Sequence, residues 1–578
     1  MIQKLRTSFE KLRRNEDQLA LVLSVVLGAL VGLVVVAFIL LTGRISARMY
    51  PAGGAGWRRI LVPVLGSLST GYLLWRYFPN ARGSGIPQTK AAIFINDGRI
   101  TFRTVFGKFF CCSASLASGI ALGREGPSVH VGAGLASVVG RNLGLSPKQV
   151  KALLPAGCSA ALAAAFNTPI AAVLFSLEEI MGDLHATVLG SVVLSAATSW
   201  IVLHLVLGDD PLFHVPGYQL VHPAELGVYA VLGVVGGLGS VAFVKLLLGL
   251  RQWFMRLPKW TAWLQPVAGG LTVGLLGYFV PEVLGVGYNS VEKVLNGNIV
   301  VKLVVLFAVL KIVATAVCYA SGNAGGIFGP SLFIGAMIGA GVGGVAHALF
   351  PTETAGPGAY ALVGMGTAFA GVVRTPWTSV IMIFEITRDY TIIVPLMISN
   401  MIAFFISQKL QKEPIYEALS HQEGIYLPTA EARFQAERIQ VQQTMRLQPV
   451  SFSADNQAGA ILAQIKNSGL DAWPVVSDDG LRGMVRNREI EQVVANGGEN
   501  KKLWEILNGH RMFGEVPYVH PDHSLSLAME RMGASGANVL PVVSRANLRQ
   551  LIGVVVLDDI LNTYGVAKRN EDVPLVVE

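Results

Sequence analysis

Apolar segments long enough to cross a lipid bilayer fill the first 410 residues of this chain. The run from Leu19 to Leu41 can span a membrane and lacks the small-residue pattern of a cleavable signal peptide. Only 14% of all residues are charged and 52% are hydrophobic, a balance that excludes an ordinary soluble enzyme and favours a polytopic membrane protein. Basic residues between Lys4 and Arg14 precede the first span, so we expect a cytoplasmic N-terminus.

A polar motif interrupts this apolar background at 123–133, where the sequence reads G-R-E-G-P-S-V-H-V-G-A. Pro127 favours the first turn of a helix, and the N–H groups and positive dipole of such a terminus can hold an anion. Glu125 lies where that anion would bind, so its carboxylate can occupy the site itself. The alternative is a buried ion pair between Glu125 and Arg124 that only stabilises the fold.

The membrane part contains an internal repeat. The pattern G-P-S-x-x-x-G-A occurs at 126–133 and again at 329–336, and T-P-x-x-x-V-x-x-x-x-E occurs at 168–178 and 375–385. These patterns indicate two homologous halves with paired, interrupted helices whose N-termini converge. Such breaks at membrane depth are tolerated where they line a cavity, so we expect an anion site between the halves. A glycine-rich packing duplication without a central site is the alternative.

Four of these stretches carry a resemblance to a known family. G-S-G-I-P at 83–87, G-R-E-G-P at 123–127, G-I-F-G-P at 326–330 and the tyrosine at 416 resemble the signature elements of the CLC chloride channels and chloride/proton exchangers. The resemblance covers residues 15–420. It implies an all-α polytopic membrane protein with an inverted internal repeat, assembled as a homodimer with one pathway per subunit for chloride.

The resemblance also implies roles for individual residues. Ser84 and Tyr416 would offer hydroxyl groups to a central anion, and the backbone N–H groups of Ile327 and Phe328 would complete the site. Glu125 would be the gate that competes with the anion when it is ionised and moves away when it is protonated. Serine at position 84 suggests chloride, because members of the family that prefer nitrate tend to have proline there.

Two adjacent glutamates bear on the mechanism. Glu178 corresponds to Glu385 in the second half, so its role is expected to be structural and shared by both halves. Glu179 has no such counterpart, because Ile386 follows Glu385. The resemblance implies that Glu179 admits protons from the cytoplasm, as in exchangers, and a carboxylate in an apolar setting can relay protons. The alternatives are a solvated residue at a helix end and, for the protein, a voltage- or pH-gated passive chloride channel.

The polar C-terminal region contains a second repeat. W-P-V-V-S at 473–477 is followed by L-R-G-M-V at 481–485, and L-P-V-V-S at 540–544 is followed by L-I-G-V-V at 551–555. Apolar periodicity predicts a helix before each copy, at Ala458–Ile465 and Leu525–Met532. The order helix, strand, turn, strand, helix resembles a pair of CBS domains, an α/β cytoplasmic module.

CBS pairs often bind adenine nucleotides through a Ser or Thr after the second strand and an Asp three residues later. Here these positions hold Val556 and Asp559 in the second copy, and Arg486 and Glu489 in the first. The hydroxyl is absent from both copies. Asp559 could still hold a ribose, but a purely structural or dimer-stabilising module is the favoured interpretation.

These observations define five predicted segments: a cytoplasmic N-terminal segment at 1–18, a CLC-like transmembrane domain at 19–420, a linker at 421–440, and CBS domains at 441–500 and 511–570. The expected partners are chloride, protons, the lipid bilayer and a second copy of the chain. We expect a multi-pass protein of a bacterial inner membrane with both termini cytoplasmic.

Several other function classes are disfavoured. Clustered His/Cys ligands, a nucleophile elbow and a phosphate-binding loop are absent from the sequence, so neither an enzyme nor a metal site is expected. The four cysteines lie in apolar segments, as small core residues do. The net charge of +8 is scattered, so we expect no nucleic-acid binding. No cofactor is expected beyond an adenine nucleotide at the CBS pair.

Overall fold

The structure, a computed structural model, divides into two compact units, Met1–Leu427 and Pro428–Glu578. The described residues are 16–50, 54–184, 188–209, 211–215, 217–218, 220–297, 301–425, 439–447, 449–465, 470–507 and 517–563. Most of the predicted N-terminal segment and most of the predicted linker lie outside the described residues. The predicted bounds of the individual domains therefore stay predictions.

The regular elements in the described residues of the first unit are all helices. Helices of the first half are α1 Glu16–Met49, α2 Arg58–Arg76, α3 Ile86–Phe94, α4 Phe102–Ala117, α5 Glu125–Asn142, α6 Pro147–Phe166, α7 Pro169–Phe175 and α8 Leu189–Leu207. Helices of the second half are α9 Glu225–Met255, α10 Pro266–Phe279, α11 Tyr288–Leu295, α12 Val301–Ala320, α13 Phe328–Leu349, α14 Pro357–Val373, α15 Pro376–Thr387 and α16 Ile393–Leu410. A last helix, α17, covers Ile415–Gln422.

The two halves repeat the same packing. Helix α5 packs on α6 as α13 packs on α14, and α1 packs on α8 as α9 packs on α16. Two helices, α2 and α7, pack directly against their own counterparts, α10 and α15. The chain therefore has the inverted-repeat architecture that the sequence predicts, with each half contributing eight helices of the described residues.

Local chemistry explains several of the helix ends. A capping box of Ser146 and Gln149 starts α6. Helices α6 and α14 both end at a residue with positive φ, Asn167 at +60° and Arg374 at +66°. These two residues are separated by the same 207 positions as the repeated Thr-Pro pairs. The repeat thus extends to backbone conformation.

Two helices differ in length from the apolar runs that contain them. The apolar run at 148–165 is short for a membrane span, yet α6 has 20 residues and is apolar enough to cross. The apolar run at 261–279 is longer, yet α10 has only 14 residues. A short 3₁₀ turn, Lys259–Trp263, occupies the beginning of that segment because Pro266 restarts the helix. Seven helices of the described residues are long and apolar enough to span.

Pairs of glycines let the repeated helices approach closely. A side chain at Gly132 would collide with the carbonyl of Gly157, and one at Gly335 would collide with that of Gly364. Close approach through small residues is typical of helix packing in lipid. The repeated G-P-S-x-x-x-G-A pattern therefore contributes to packing as well as to the helix termini.

The second unit contains two three-stranded sheets. The strands are β1 Arg446–Leu447, β2 Phe452–Ser453, β3 Ala472–Ser477, β4 Gly480–Arg486, β5 Val539–Val543 and β6 Leu551–Val556. The helices are α18 Ala458–Ile465, α19 Asn487–Ala495, α20 Leu503–Leu507, α21 Leu525–Ser535 and α22 Leu557–Thr563. The strand orders are β2-β3-β4 and β1-β6-β5. Strand β1 precedes the first CBS copy in the sequence, yet it pairs with β6 of the second copy. The predicted helix–strand–turn–strand–helix order is confirmed in both copies.

Candidate functional site

The candidate site lies where the first residues of α5 and α13 meet. The N–H of Gly123 donates to the carbonyl of Gly326 at 2.7 Å, and the N–H of Gly326 returns the bond to Gly123 at 2.7 Å. Gly126 also approaches Ser84, since a Cβ at Gly126 would lie 3.3 Å from the Ser84 Cβ. The three glycine motifs at 83–87, 123–127 and 326–330 therefore converge, as the sequence predicts.

Glu125 is fully buried and its carboxylate sits at the N-terminus of α13. The N–H of Gly329 donates to Glu125 Oε2 at 3.2 Å, and the Tyr288 hydroxyl donates to Oε1. A carboxylate thus occupies the position where the terminus of a helix would hold an anion.

The alternative ion pair between Glu125 and Arg124 is not formed among the described residues. The Arg124 guanidinium instead lies 5.7 Å from the centre of the Tyr288 ring. Glu125 is consequently bound by neutral donors rather than by a cation in contact.

Two glycines make room for this carboxylate. A Cβ at Gly123 would collide with Glu125 Oε2, and a Cβ at Gly329 would lie 3.1 Å from the same oxygen. The glycines of the motif therefore fit the carboxylate sterically as well as allowing the two backbones to approach.

The two hydroxyl groups predicted to bind the anion are buried. Ser84 is 0% exposed and Tyr416 is 1% exposed. Within the described part of the chain, neither Ser84 Oγ nor Tyr416 Oη has a hydrogen-bond partner. Helix α17, which carries Tyr416, packs against α3, which begins just after Ser84. Buried hydroxyls without partners are costly, and an anion that accepts from both would satisfy them.

The backbone donors predicted for the same site lie at the start of α13. Ile327 is the N-cap and Phe328 the first helical residue. Early N–H groups have no partner inside a helix, and among the described residues no acceptor is bonded to these two. The Phe328 ring packs 4.8 Å from that of Phe166 and 4.2 Å from that of Phe369, which keeps water away from these donors.

Sequence reasoning missed a buried lysine beside Ser84. Lys108 is 0% exposed and its Nζ donates to the carbonyls of Arg82 at 2.9 Å and Gly83 at 2.8 Å. Lys311 does the same in the second half, donating to Val283 at 2.9 Å and to the glycine at 285. The two lysines are 203 positions apart, which is also the offset of the repeated Gly-Pro-Ser motifs, and this spacing could have identified them.

Glu179 lies in a π-helical turn, Ser176–Met181, that extends α7. It is buried, and its Oε1 is 2.9 Å from Lys90 Nζ. The alternative of a solvated residue at a helix end is therefore wrong.

Glu178 and Glu385 bind reciprocally to the starts of the opposite helices. Glu178 accepts from the N–H groups of Trp377 at 3.4 Å and Thr378 at 2.8 Å, at the start of α15. Glu385 accepts from Ile170 at 2.9 Å and Ala171 at 2.7 Å, at the start of α7. The shared structural role predicted for this pair is confirmed.

In the second unit, the residues at the positions where CBS pairs often bind nucleotides already have partners within the chain. Arg446 Nε lies 2.6 Å from Asp559 Oδ2, and Arg446 Nη2 lies 2.9 Å from Oδ1. These hydrogen bonds raise the pKa of the Arg446 guanidinium. Arg486 donates to the carbonyls of Ser535 and Gly536. A nucleotide would have to displace Arg446 to reach Asp559.

No group of three or more His, Cys, Asp or Glu side chains suited to a metal occurs among the described residues. The four cysteines, at 111, 112, 158 and 318, are buried free thiols.

Two related helical halves that meet at buried helix N-termini, with a carboxylate bound between them, define a membrane protein with an anion pathway through each chain. The sequence profile described as voltage gated chloride channel matches residues 66–408, so the chain belongs to this family, which is the CLC family. The CBS domain profile matches residues 509–565.

Individual relatives agree with this assignment. The chain is 34% identical over 356 residues to a protein of Vibrio campbellii named H(+)/Cl(-) exchange transporter ClcA, covering 61% of this chain and 76% of the relative. It is 32% identical over 424 residues to the protein of the same name from Salmonella arizonae, covering 70% and 89%.

Solved structures share the fold. A slow cyanobacterial Cl⁻/H⁺ antiporter superposes with a TM-score of 0.65 at 25% identity, covering 70% of this chain and 97% of that one. A eukaryotic CLC transporter superposes with a TM-score of 0.66 at 20% identity over 94% of this chain and 98% of that one.

Proposed function

We propose that this protein exchanges chloride for protons across the membrane. The observation that carries the proposal is the carboxylate of Glu125 bound at the N-terminus of α13 by the N–H of Gly329 and the hydroxyl of Tyr288. A titratable anion in an anion site makes occupancy by chloride depend on protonation. The curated relatives named exchange transporters support the same activity.

The mechanism follows from competition for this terminus. When Glu125 is ionised, its carboxylate fills the site and blocks the pathway. When it takes up a proton, it loses the charge that the helix terminus stabilises, so it leaves and chloride replaces it. Each passage of chloride is then linked to a change in the protonation of one side chain.

We assign the central anion site to the hydroxyls of Ser84 and Tyr416 and to the N–H groups of Ile327 and Phe328. Support comes from the two unpartnered buried hydroxyls and from the free helix N-terminus. The Lys108 ammonium lies behind the Ser84 loop and adds a buried positive charge that favours an anion.

Glu179 is proposed as the proton entrance on the cytoplasmic side. A carboxylate buried beside Lys90 is poised to change protonation in response to its neighbours.

A passive chloride channel is the second candidate function, and a gate at Glu125 would serve a channel equally well. Glu179 favours the exchanger because proton transport to Glu125 requires a second titratable group, which a passive channel does not need.

We further propose a homodimer in a bacterial inner membrane, with one pathway per subunit and cytoplasmic termini. The apolar side chains of Ile170 and Trp377 are more than half exposed where α7 and α15 meet. Such a face must be covered by lipid or by a second copy. The CBS pair is proposed as a structural module, because Arg446 already binds Asp559.

Crossed gradients in liposomes test the exchanger proposal directly. We expect an imposed chloride gradient to drive protons uphill in the reconstituted protein, and the reversal potential to depend on both ions. A reversal potential that follows chloride alone and ignores pH would establish the channel instead.

A further inference from the structure

Two carboxylates share one lysine in the middle of α3, the helix that begins at Ile86. Lys90 Nζ lies 2.9 Å from Glu179 Oε1 and 4.0 Å from Glu417 Oε1. The three residues come from three separate parts of the chain, so only the tertiary structure brings them together. Two like charges within reach of one cation are stable only if a single carboxylate is fully ionised or both share the cation.

The three side chains differ in exposure. Those of Lys90 and Glu179 are 11% and 8% exposed, whereas that of Glu417 is 34% exposed. Glu417 is therefore the member of the cluster that can exchange a proton with water, and Glu179 is the member that cannot do so directly. Lys90 stands between them.

Other charged groups face the cluster from neighbouring elements. Glu178 is engaged at the start of α15, and Arg374 at the end of α14 lies within electrostatic reach of Glu417 and Glu413. The Arg374 guanidinium donates to backbone carbonyls of Ser407 and Lys412.

Glu413 pairs with His421 at 2.9 Å. Lys90 is thus the cation that makes direct contact with Glu179 in the described residues.

We propose that Glu417 is the water-facing proton acceptor that supplies Glu179, and that Lys90 is a positioning residue that pairs with whichever of the two carboxylates is ionised. This inference rests on the proposed exchange of chloride for protons. It adds a carboxylate and a cation to the pathway, neither of which belongs to the anion site.

The proton balance is simple. A proton taken from water by Glu417 moves to Glu179, which becomes neutral, and Glu417 becomes the ionised partner. The Lys90 ammonium keeps its charge and shifts from Glu179 Oε1 to Glu417 Oε1 on its long, rotatable stem. The cluster carries one positive and one negative charge before and after the transfer, so no uncompensated charge is left buried.

The position of Glu417 also ties proton entry to the anion site. Glu417 directly follows Tyr416, whose buried hydroxyl has no partner among the described residues. A shift of the Lys90 ion pair onto Glu417 therefore acts on the same short helix that offers Tyr416 to the anion.

The test compares four variants of the full-length protein in liposomes by simultaneous proton and chloride flux. In E417Q we expect the proton flux to fall by about tenfold or more while chloride flux continues, because a positioned acid–base group is lost. K90M should behave likewise, and K90R should restore most of the proton flux because it keeps the charge. E413Q is the matched control, a neighbouring carboxylate paired with His421, and should match the wild type.

A pH profile separates this role from a purely structural one. In the wild type we expect proton flux to vary with pH on the side that Glu417 faces, and in E417Q this dependence should weaken while continuing chloride flux shows that the protein is folded. Wild-type proton flux in E417Q, or K90R as impaired as K90M, would overturn the relay. Chloride flux without coupled protons in the wild type would instead overturn the proposed exchange itself.

Discussion

Glu125 and Phe328 occupy equivalent positions in the two halves, because both begin the helix of a repeated Gly-Pro-Ser motif. One is a titratable anion and the other an apolar ring. A symmetric pair of glutamates would place two carboxylates against one site, where like charges repel. Under the proposed exchange, this difference between the two halves provides a titratable gate on one side of the site and an apolar surface on the other.

Removal of the gate is the most direct residue-level test. In E125A the carboxylate no longer competes at the start of α13, so we expect chloride flux to lose its pH dependence and proton coupling to end. Parallel measurement of proton uptake and chloride efflux in liposomes checks this. E353Q, which changes an exposed glutamate, serves as the control. Pumping of protons by E125A under a chloride gradient would rule out the gate.

Tyr288 should set how firmly the gate closes. Its hydroxyl donates to the Glu125 carboxylate, and a hydrogen bond to a charged group contributes about 1.5–3 kcal/mol. In Y288F we expect chloride to displace the weakened carboxylate more easily, lowering the half-saturating chloride concentration by about tenfold. Flux measured over a chloride titration at constant pH tests this, and an unchanged midpoint would contradict it.

At the scale of elements, helix ends of one half are completed by side chains of the other. Glu178 binds the start of α15, and Glu385 binds the start of α7. Each carboxylate satisfies two N–H groups that have no partner inside a helix. The T-P-x-x-x-V-x-x-x-x-E repeat therefore connects the two halves, because the glutamate of each copy binds the helix start of the other. This contact explains why the repeat recurs with the same spacing.

This reciprocity predicts matched losses of stability. We expect E178Q and E385Q each to destabilise the protein by about 1–2 kcal/mol, since each weakens a charged cap on a helix N-terminus. Thermal unfolding in detergent should show similar drops in midpoint for the two variants, with E353Q unaffected. A large drop in one variant alone would show that the halves do not depend on each other equally.

At the scale of the whole molecule, the chain joins a membrane unit to a CBS unit in which Asp559, the residue that could contact a nucleotide, is bound by Arg446. Arg446 forms two hydrogen bonds to Asp559. We expect calorimetric titration of the full-length protein with ATP or AMP to give no binding heat. R446Q, which frees Asp559, is the informative comparison: heat from R446Q alone would identify Arg446 as the obstacle. Saturable heat from the wild type would contradict the structural interpretation.

The amino-acid sequence alone predicts the membrane character, the two halves, the helix starts at the two Gly-Pro motifs, and the order of helices and strands along each CBS copy. Hydrophobic length, proline and glycine positions and repeated spacing are properties of short stretches, so they can be read without coordinates. Helix lengths are harder to predict, as α6 and α10 demonstrate, because packing against neighbours decides where a helix within an apolar segment ends.

The hydrogen-bond and ion-pair partners of the buried carboxylates could not be predicted without the three-dimensional structure. Glu125 binds Gly329 and Tyr288 rather than the adjacent Arg124, and Glu179 is buried against Lys90. Gly329 is 204 positions from Glu125 and Lys90 is 89 positions from Glu179. A buried carboxylate binds whichever donor the packing places beside it, and no local sequence pattern identifies that distant residue.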